Sequence, residues 1–326
     1  MSPRKLPART ETVVLFAHAA YRLGDALARR NTGMKFIEAR TPDEVVARLP
    51  EANIVNVSMM WRNQWLDLAP KLAFVQSISA GMNQYDVAVF KAAGVRLASA
   101  QGVNAQAVAE HAMALTLSIT RQLHLARDNQ HKKVWRGMIG DPAQREDELA
   151  GKTMLIVGIG GIGSKLARMA KAFDMHVIGT RRDASKGAGG ADEVFSDADL
   201  LKVLPRADIV VLTCPITPET TNLINARALA AMKPAAMLIN VARGAVVDEP
   251  ALIGALQSGK LASAGIDVTV EEPLPASSPL WTMPNVVITP HTGGETRAYE
   301  ENVIDVLLEN LSRLERGEAA LRNGFA

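Results

Sequence analysis

The sequence is poor in cysteine, in aromatic side chains and in excess charge of either sign. Cys214 is the only cysteine among 326 residues, and aromatic residues make up 4% of the chain. A single cysteine forms neither an internal disulfide nor a thiolate metal cluster, so we expect a protein of a reducing compartment. No group of His, Cys and carboxylate residues has metal-ligand spacing, and we expect no bound metal.

Charge and hydropathy exclude two further classes of protein. Lys and Arg total 36 against 34 acidic residues, which leaves a net charge of +2. This charge is too small to attract nucleic acid or a membrane surface to the whole molecule. No apolar run approaches the ~18 residues of a membrane span, and Val13–Ala17 is shorter than the core of a signal peptide. We therefore expect a cytoplasmic protein that binds neither nucleic acid nor membranes.

What the sequence does contain is an alternation of short apolar runs with helical stretches, once before residue 100 and again after residue 153. Such alternation predicts parallel sheets, and six strands with crossovers predict a doubly wound sheet in the second half. The predicted strands are Val13–Phe16, Ile54–Val57, Phe74–Ile78 and Val95–Ala98 in the first half, and Met154–Val157, Val177–Gly179, Ile209–Leu212, Met237–Ile239, Ala264–Asp267 and Val286–Ile288 in the second.

A long apolar helix and a polar segment are predicted between the two halves. Apolar residues run almost all the way round the helix predicted over Ala105–His124, which favours burial between domains or subunits. The segment from about Arg127 to Glu148 has few periodic apolar positions and is predicted to be an extended loop. Because such a helix would otherwise leave a large apolar surface in water, we expect a homodimer.

A glycine-rich motif follows the first strand of the second half. Residues 157–163 read V-G-I-G-G-I-G, a G-x-G-x-x-G pattern between the strand Met154–Val157 and a helical run. Gly158 permits the tight turn, Gly160 lets the backbone approach a pyrophosphate, and Gly163 allows close packing of helix on strand. Phosphates would lie at the helix N-terminus, where amides and the helix dipole favour anions. The motif therefore predicts a dinucleotide site.

The end of the next predicted strand indicates which dinucleotide binds. NAD-binding chains usually place an Asp or Glu here to hold the ribose 2′-hydroxyl. This strand end has Thr180, Arg181 and Arg182 instead, and the nearest acid, Asp183, lies just beyond it. Guanidinium groups bind a 2′-phosphate through paired, charge-assisted hydrogen bonds, whereas a carboxylate would repel it. We expect the cofactor to be NADP(H).

Three further segments each lie at the end of a predicted strand. In a doubly wound sheet ligands bind at this edge, so an Arg, a Glu and a His placed there would converge on a nicotinamide. The segments are Asn240–Asp248, Ala264–Leu274 and Asn285–Gly294.

Taken in order, these motifs resemble the D-isomer-specific 2-hydroxyacid dehydrogenase family, relatives of glyoxylate/hydroxypyruvate reductase and phosphoglycerate dehydrogenase. The likeness also includes residues 79–86, 108–111 and 215–220 and covers nearly the whole chain. It implies a doubly wound (Rossmann) cofactor domain, 104–296, inserted in a smaller flavodoxin-like α/β substrate domain, 1–103 and 297–326. It also implies NADPH-dependent reduction of a small 2-oxo acid, of glyoxylate or hydroxypyruvate type, to the D-2-hydroxy acid.

The resemblance assigns a role to three catalytic residues. Arg243 would bind the substrate carboxylate and carbonyl, which a planar donor fork suits. His291 would give a proton to the carbonyl oxygen as hydride reaches C2, since imidazole exchanges protons near neutral pH. Glu272, rather than the adjacent Glu271, would orient that imidazole.

The resemblance also implies the binding contacts. Backbone amides of Ala80, Gly81 and Met82 would hold the substrate carboxylate. Asp267 would lie beside the nicotinamide amide. The full set of expected cofactor contacts is Gly158, Gly160, Gly161, Ile162, Gly163, Thr180, Arg181, Arg182, Cys214, Pro215, Thr220, Val241, Ala242, Asp267 and Gly293.

Two other functions stay open at this point. Some members of the family are dinucleotide-dependent corepressors, and an NADP-linked dehydrogenase of another donor, such as phosphite, would need the same trio of residues. Neither the substrate side chain nor the direction of the reaction follows from the sequence. The remaining histidines have no comparable context and are expected to be structural or solvated: His18, His111, His124, His131 and His176.

Overall fold

The computed structural model describes residues 3–82 and 84–325, and the chain divides into two units. Unit 1 comprises residues 1–104 and 296–326, and unit 2 comprises residues 105–295. Asn83, which belongs to one of the motifs above, lies outside the described residues. No helix within the described ranges is long and apolar enough to cross a bilayer.

Unit 1 is built on a five-stranded parallel sheet with the strand order β2-β1-β3-β4-β5. This is the flavodoxin-like order that the resemblance implies. The central strands are buried on both faces, as parallel sheets require. The elements are β1 Val13–Ala17, α1 Leu23–Ala28, β2 Lys35–Ala39, α2 Pro42–Arg48, β3 Ile54–Val57, β4 Phe74–Ser77, α3 Val87–Ala93, β5 Arg96–Ser99 and the C-terminal helix Tyr299–Glu315.

Unit 2 is built on a seven-stranded parallel sheet with the order β12-β11-β10-β9-β6-β7-β8. The order reverses between β6 and β9, which makes this pair the switch point of a doubly wound sheet. The predicted fold class is therefore confirmed. The elements are α4 Ala105–Thr120, α5 Leu123–His131, β6 Thr153–Val157, α6 Gly161–Ala172, β7 His176–Arg181, β8 Glu193–Ser196, α7 Leu200–Val203, β9 Ile209–Leu212, α8 Ala226–Ala231, β10 Met237–Asn240, α9 Glu249–Gln257, β11 Ser263–Ile266 and β12 Val286–Ile288.

The predicted helix Ala105–His124 is wrong in its length, and the loop predicted after it is partly helical. α4 ends at Thr120, because Gln122 adopts a left-handed conformation with φ 51°. A second helix, α5, then begins and continues to His131 without burying any side chain. The apolar side chains of α4 are mostly buried within unit 2 itself, where the helix packs on α6 and β11. The apolar surface of α4 is therefore already buried inside unit 2, and it does not support a dimer.

Candidate functional site

The carboxyl ends of the seven strands of unit 2 meet at one edge of the sheet, which brings the residues after the strands together. The cofactor and catalytic residues predicted between 105 and 295 lie in the last two residues of β7, in the loops after β6, β7, β9, β10, β11 and β12, and in the first turn of α6. This edge is the candidate active site.

The loop after β6 is a tight turn that leaves an open space before α6. Gly158 has φ 96°, and a Cβ there would lie 2.6 Å from the Cα of Cys214. A Cβ on Gly163 would lie 2.8 Å from the oxygen of Gly158, so helix and strand pack closely at that point. By contrast, a Cβ on Gly161 would meet nothing within 4 Å, and one on Gly160 would only reach 4.0 Å. Because amides in the first turn of a helix lack acceptors, this open cradle fits a pyrophosphate.

The strand end after the glycine loop has two cationic side chains in different settings. Arg181 donates from Nη1 to the carbonyls of Lys186 (3.0 Å) and Gly187 (2.8 Å) and so orders the loop that follows, while Arg182 is exposed. The carboxylate of Asp183 accepts from the amide and hydroxyl of Ser185 and caps a short turn. Asp183 is therefore engaged with its own loop.

Other predicted cofactor contacts shape the same edge of the sheet. Thr180 is fully buried, and its hydroxyl has no partner among the described residues. Burial raises the pKa of the Cys214 thiol to about 11, so the thiol stays protonated near neutral pH. The Thr220 hydroxyl donates to the carbonyl of Pro215 at 2.7 Å and closes the turn after β9. Buried or half-buried beside them are Ile162, Val241 and Ala242.

The turn that carries Arg243 is fixed from both sides. The side chain of Asn240 accepts from the amide of Ala242 (3.0 Å) and donates to the carbonyl of Arg243 (3.1 Å). A Cβ on Gly244 would lie 2.0 Å from the backbone of Thr269, so the loops after β10 and β11 touch there. Arg243 itself is exposed, and among the described residues its guanidinium donates one hydrogen bond, to the carbonyl of Ala242. Most of its guanidinium donors therefore remain available to a bound anion.

His291 and Glu272 form a pair at the same edge. The imidazole Nδ1 lies 2.7 Å from Glu272 Oε2, and Glu272 Oε1 accepts from the amide of Thr269 at 3.2 Å. The adjacent Glu271 takes part through its backbone, since its carbonyl accepts from the Thr269 hydroxyl at 2.7 Å. Because Nδ1 is engaged by the carboxylate, Nε2 is the nitrogen left to exchange a proton with a bound molecule.

Asp267 accepts several hydrogen bonds from the loop that carries His291. Its carboxylate accepts from the Thr289 hydroxyl (2.6 Å) and from the amides of Thr292 and Gly293 (3.0 Å each). Its backbone carbonyl accepts from the amide of His291 at 2.8 Å. Burial alone would raise the pKa of Asp267, but these bonds and the nearby His111 hold the pKa below its usual value. The carboxylate therefore stays ionised and binds residues on both sides of His291.

His111 joins this cluster, which its sequence context did not indicate. Its Nε2 lies 2.8 Å from the Thr289 hydroxyl and 3.3 Å from Asp267 Oδ1. The partners are more than 150 residues apart in the chain, so spacing carried no signal. The only hint was its place in the motif at 108–111.

In unit 1, the predicted carboxylate cradle follows β4. The Ser79 hydroxyl lies 2.9 Å from that of Ser58 and donates to the carbonyl of Gly81 at 3.3 Å, which fixes the turn. No residue in the described ranges accepts a hydrogen bond from the amides of Ala80, Gly81 or Met82. The turn therefore presents three consecutive amide donors.

Comparisons with known proteins agree with this architecture. A family model described as D-isomer specific 2-hydroxyacid dehydrogenase, NAD binding domain, matches residues 113–293. Glyoxylate/hydroxypyruvate reductase B of Yersinia pestis is 36% identical over 308 residues, which cover 92% of this chain and 93% of the relative.

Solved structures show the same likeness over nearly the whole chain. A D-isomer specific 2-hydroxyacid dehydrogenase family protein from Aeromonas salmonicida has a TM-score of 0.83 at 30% identity and covers 97% of this chain and 100% of its own. An NADPH-dependent glyoxylate/hydroxypyruvate reductase from Sinorhizobium meliloti has a TM-score of 0.79 at 26% identity, over 95% and 97% of the two chains. The expected resemblance is confirmed, and the chain belongs to the D-isomer-specific 2-hydroxyacid dehydrogenase family.

Proposed function

We propose that this protein is an NADPH-dependent reductase that converts small 2-oxo acids, of glyoxylate or hydroxypyruvate type, to D-2-hydroxy acids. The observation that carries the proposal is the His291–Glu272 pair, which lies at one sheet edge with Arg243 and the open glycine cradle. The relatives named glyoxylate/hydroxypyruvate reductase support the substrate class.

The proposed chemistry divides between a few side chains. Arg243 binds the carboxylate and carbonyl oxygens of the 2-oxo acid and draws electron density from C2. When bound, reduced nicotinamide supplies the hydride that C2 accepts. His291 gives its Nε2 proton to the carbonyl oxygen, which completes the hydroxyl group, and then regains a proton from water. Glu272 accepts from Nδ1 and stabilises the protonated imidazole before that transfer.

The two units have separate proposed roles. Unit 2 holds the dinucleotide, with its pyrophosphate on the first turn of α6 and Asp267 beside the nicotinamide amide. In unit 1, the amides of Ala80, Gly81 and Met82 bind a carboxylate. The corresponding domains are 1–103 with 297–326, and 104–296.

The preference for NADPH rests on the charges after β7. The exposed guanidinium of Arg182 and that of Arg181, which has donors beyond Nη1, are suited to a 2′-phosphate. Asp183, the acid that follows this strand end in the sequence, is turned toward Ser185 instead. Both observations favour the phosphorylated cofactor.

A substrate panel with two cofactors tests the proposal. Oxidation of NADPH and of NADH is measured with glyoxylate, hydroxypyruvate, pyruvate, phenylpyruvate and 2-ketogluconate, and reduction of NADP with phosphite. We expect the two small substrates to have the highest kcat/KM with NADPH. Turnover of phosphite alone would replace the substrate class, and turnover of nothing would support a dinucleotide-binding corepressor.

The variant Arg181→Asp tests the cofactor preference. We expect this variant to have a lower kcat/KM with NADPH and a higher kcat/KM with NADH. The new carboxylate repels a 2′-phosphate and can bind a ribose hydroxyl. Arg206→Asp, at an exposed surface position paired with Glu193, is the matched control and should leave the cofactor ratio unchanged. An unaltered ratio in Arg181→Asp, or a wild type that prefers NADH, would contradict the assignment.

We also propose a homodimer, on grounds other than the helix α4. The segment after α4 exposes several large apolar side chains, among them Trp135, which is 99% exposed. Aromatic residues and methionine are enriched at protein interfaces, and a second copy of this chain is the usual partner of such a surface. The exposed members are Leu123, Val134, Trp135 and Met138.

A further inference from the structure

We infer that His111 is a positioning residue, which holds the loop of His291 in place through Thr289 and Asp267. The inference deepens the proposed function, and its kinetic part rests on that function. No role was expected for His111 beyond structure or solvation.

Counting donors fixes the direction of the hydrogen bonds. The Thr289 hydroxyl has one proton, and it donates this proton to Asp267 Oδ1 at 2.6 Å. The Thr289 oxygen can then only accept from His111, so Nε2 of His111 carries a hydrogen and donates it at 2.8 Å. Asp267 Oδ1, at 3.3 Å from Nε2, is also an acceptor, so His111 is the donor to this pair and Thr289 passes a second hydrogen bond on to Asp267.

These hydrogen bonds act on the residues that flank His291. Thr289 precedes His291 by two residues, while the amides of Thr292 and Gly293 follow it and donate to the same Asp267 carboxylate. His291 itself has φ 57°, a left-handed conformation that side chains with a Cβ rarely adopt. Such a conformation persists only where its surroundings enforce it. The hydrogen bonds of Asp267 on both sides provide that enforcement.

The imidazole of His111 also packs directly on the far side of the loop. A Cβ on Gly293 would lie 3.0 Å from His111 Cδ2 and 2.7 Å from Asp267 Oδ2. The ring therefore contacts the residues on both sides of His291: Thr289 through its nitrogen and Gly293 through its carbons. Loss of the donor should free the loop even where the ring volume is kept.

Two pairs of variants separate the donor from the ring. His111→Phe keeps the ring and removes the donor, whereas His111→Gln keeps an N–H at similar reach. Thr289→Val removes the hydroxyl that links His111 to Asp267, and Thr289→Ser keeps it. His124→Phe is the matched control, since His124 lies on the next helix and its ring nitrogens face the carbonyl oxygens of Ser118 and Pro284, which accept from it.

Hydrogen exchange measured on the peptide covering 286–296 provides a readout that needs no turnover. We expect His111→Phe and Thr289→Val to speed exchange of the Thr292 and Gly293 amides, and the Gln, Ser and control variants to exchange as wild type. Wild-type exchange in both His111→Phe and Thr289→Val would overturn the inference. So would exchange in His111→Gln as fast as in His111→Phe.

Kinetics then connect the loop to the reaction. A misplaced proton donor slows the chemical step, so kcat should fall roughly 10- to 100-fold in His111→Phe while NADPH still binds. The primary isotope effect with NADPH deuterated at the transferred position should rise, which a mere loss of folded enzyme would not cause. An unchanged isotope effect with unchanged kcat would overturn the positioning role. If wild type reduces no 2-oxo acid, the proposed function fails, and the exchange experiment alone still decides the inference.

Discussion

At the scale of single residues, His291 combines a left-handed backbone with a side chain that is hydrogen-bonded to Glu272. We predict that His291→Gln lowers kcat by about 10²–10⁴-fold, because the proton donor is lost. Binding of NADPH, followed by fluorescence titration, should stay near wild type. His131→Gln, at the exposed end of α5, is the control for a general effect of removing an imidazole. A folded His291→Gln enzyme with wild-type kcat would contradict the assignment.

The site residues that could be predicted from the sequence are those that a local sequence pattern identifies. Arg243, Glu272 and His291 each follow a strand whose apolar run is visible, and the rules of doubly wound sheets place such residues at one edge. The role of His111 depends instead on contacts with Asp267 and Thr289 across the fold. Sequence spacing contains no information about a contact of that kind, because it depends on how distant parts of the chain fold together.

At the scale of elements, the strands that prediction missed are both at a sheet edge. β2 and β8 end the two sheets, and neither has the continuous apolar run of the strands inside. An edge strand covers less core, so its sequence mixes polar residues with apolar ones and resembles a loop. The inner strands are buried on both faces and were predicted within one or two residues of their bounds.

The contact between the loops after β10 and β11 gives a prediction at this scale. Gly244→Ala would place a Cβ 2.0 Å from the Thr269 backbone, so one loop must shift. We expect a loss of about 1–3 kcal/mol in the free energy of unfolding, as for other overpacked sites. Because Arg243 precedes this glycine, KM for the 2-oxo acid should rise as well.

A second glycine on a nearby element is the matched control. A Cβ on Gly254, in the middle of α9, would meet nothing within 4 Å. Gly254→Ala should therefore stabilise the protein by roughly 0.5–1 kcal/mol through helix propensity. Urea unfolding of both variants, with the slope checked for constancy, measures the difference. Equal urea midpoints for the two variants would show that the close approach of the Thr269 backbone to Gly244 does not lower the stability of Gly244→Ala.

At the scale of the whole molecule, the division into two α/β halves was visible because strands and helices alternate twice. The resemblance added that both ends of the chain belong to one half, which no local pattern contains. The association of chains is harder to predict. Hydrophobicity around α4 suggested an interface, but the fold uses that surface for its own core against α6 and β11. The same apolar pattern serves intramolecular and intermolecular burial, and sequence does not distinguish them.

The prediction of a dimer therefore rests on the exposed apolar residues of the segment after α4. Sedimentation equilibrium at micromolar concentration should give twice the mass of one chain. Trp135→Glu should raise the dimer dissociation constant more than about 30-fold, since a central interface tryptophan typically contributes at least ~2 kcal/mol. Trp281→Glu is the control, because Trp281 is also exposed, at 54%, but donates its indole N–H to the carbonyl of Pro275 in its own loop. A wild-type protein that sediments as a monomer would contradict the prediction of a dimer. Equal effects of the two substitutions on the dissociation constant would show that the interface does not include Trp135.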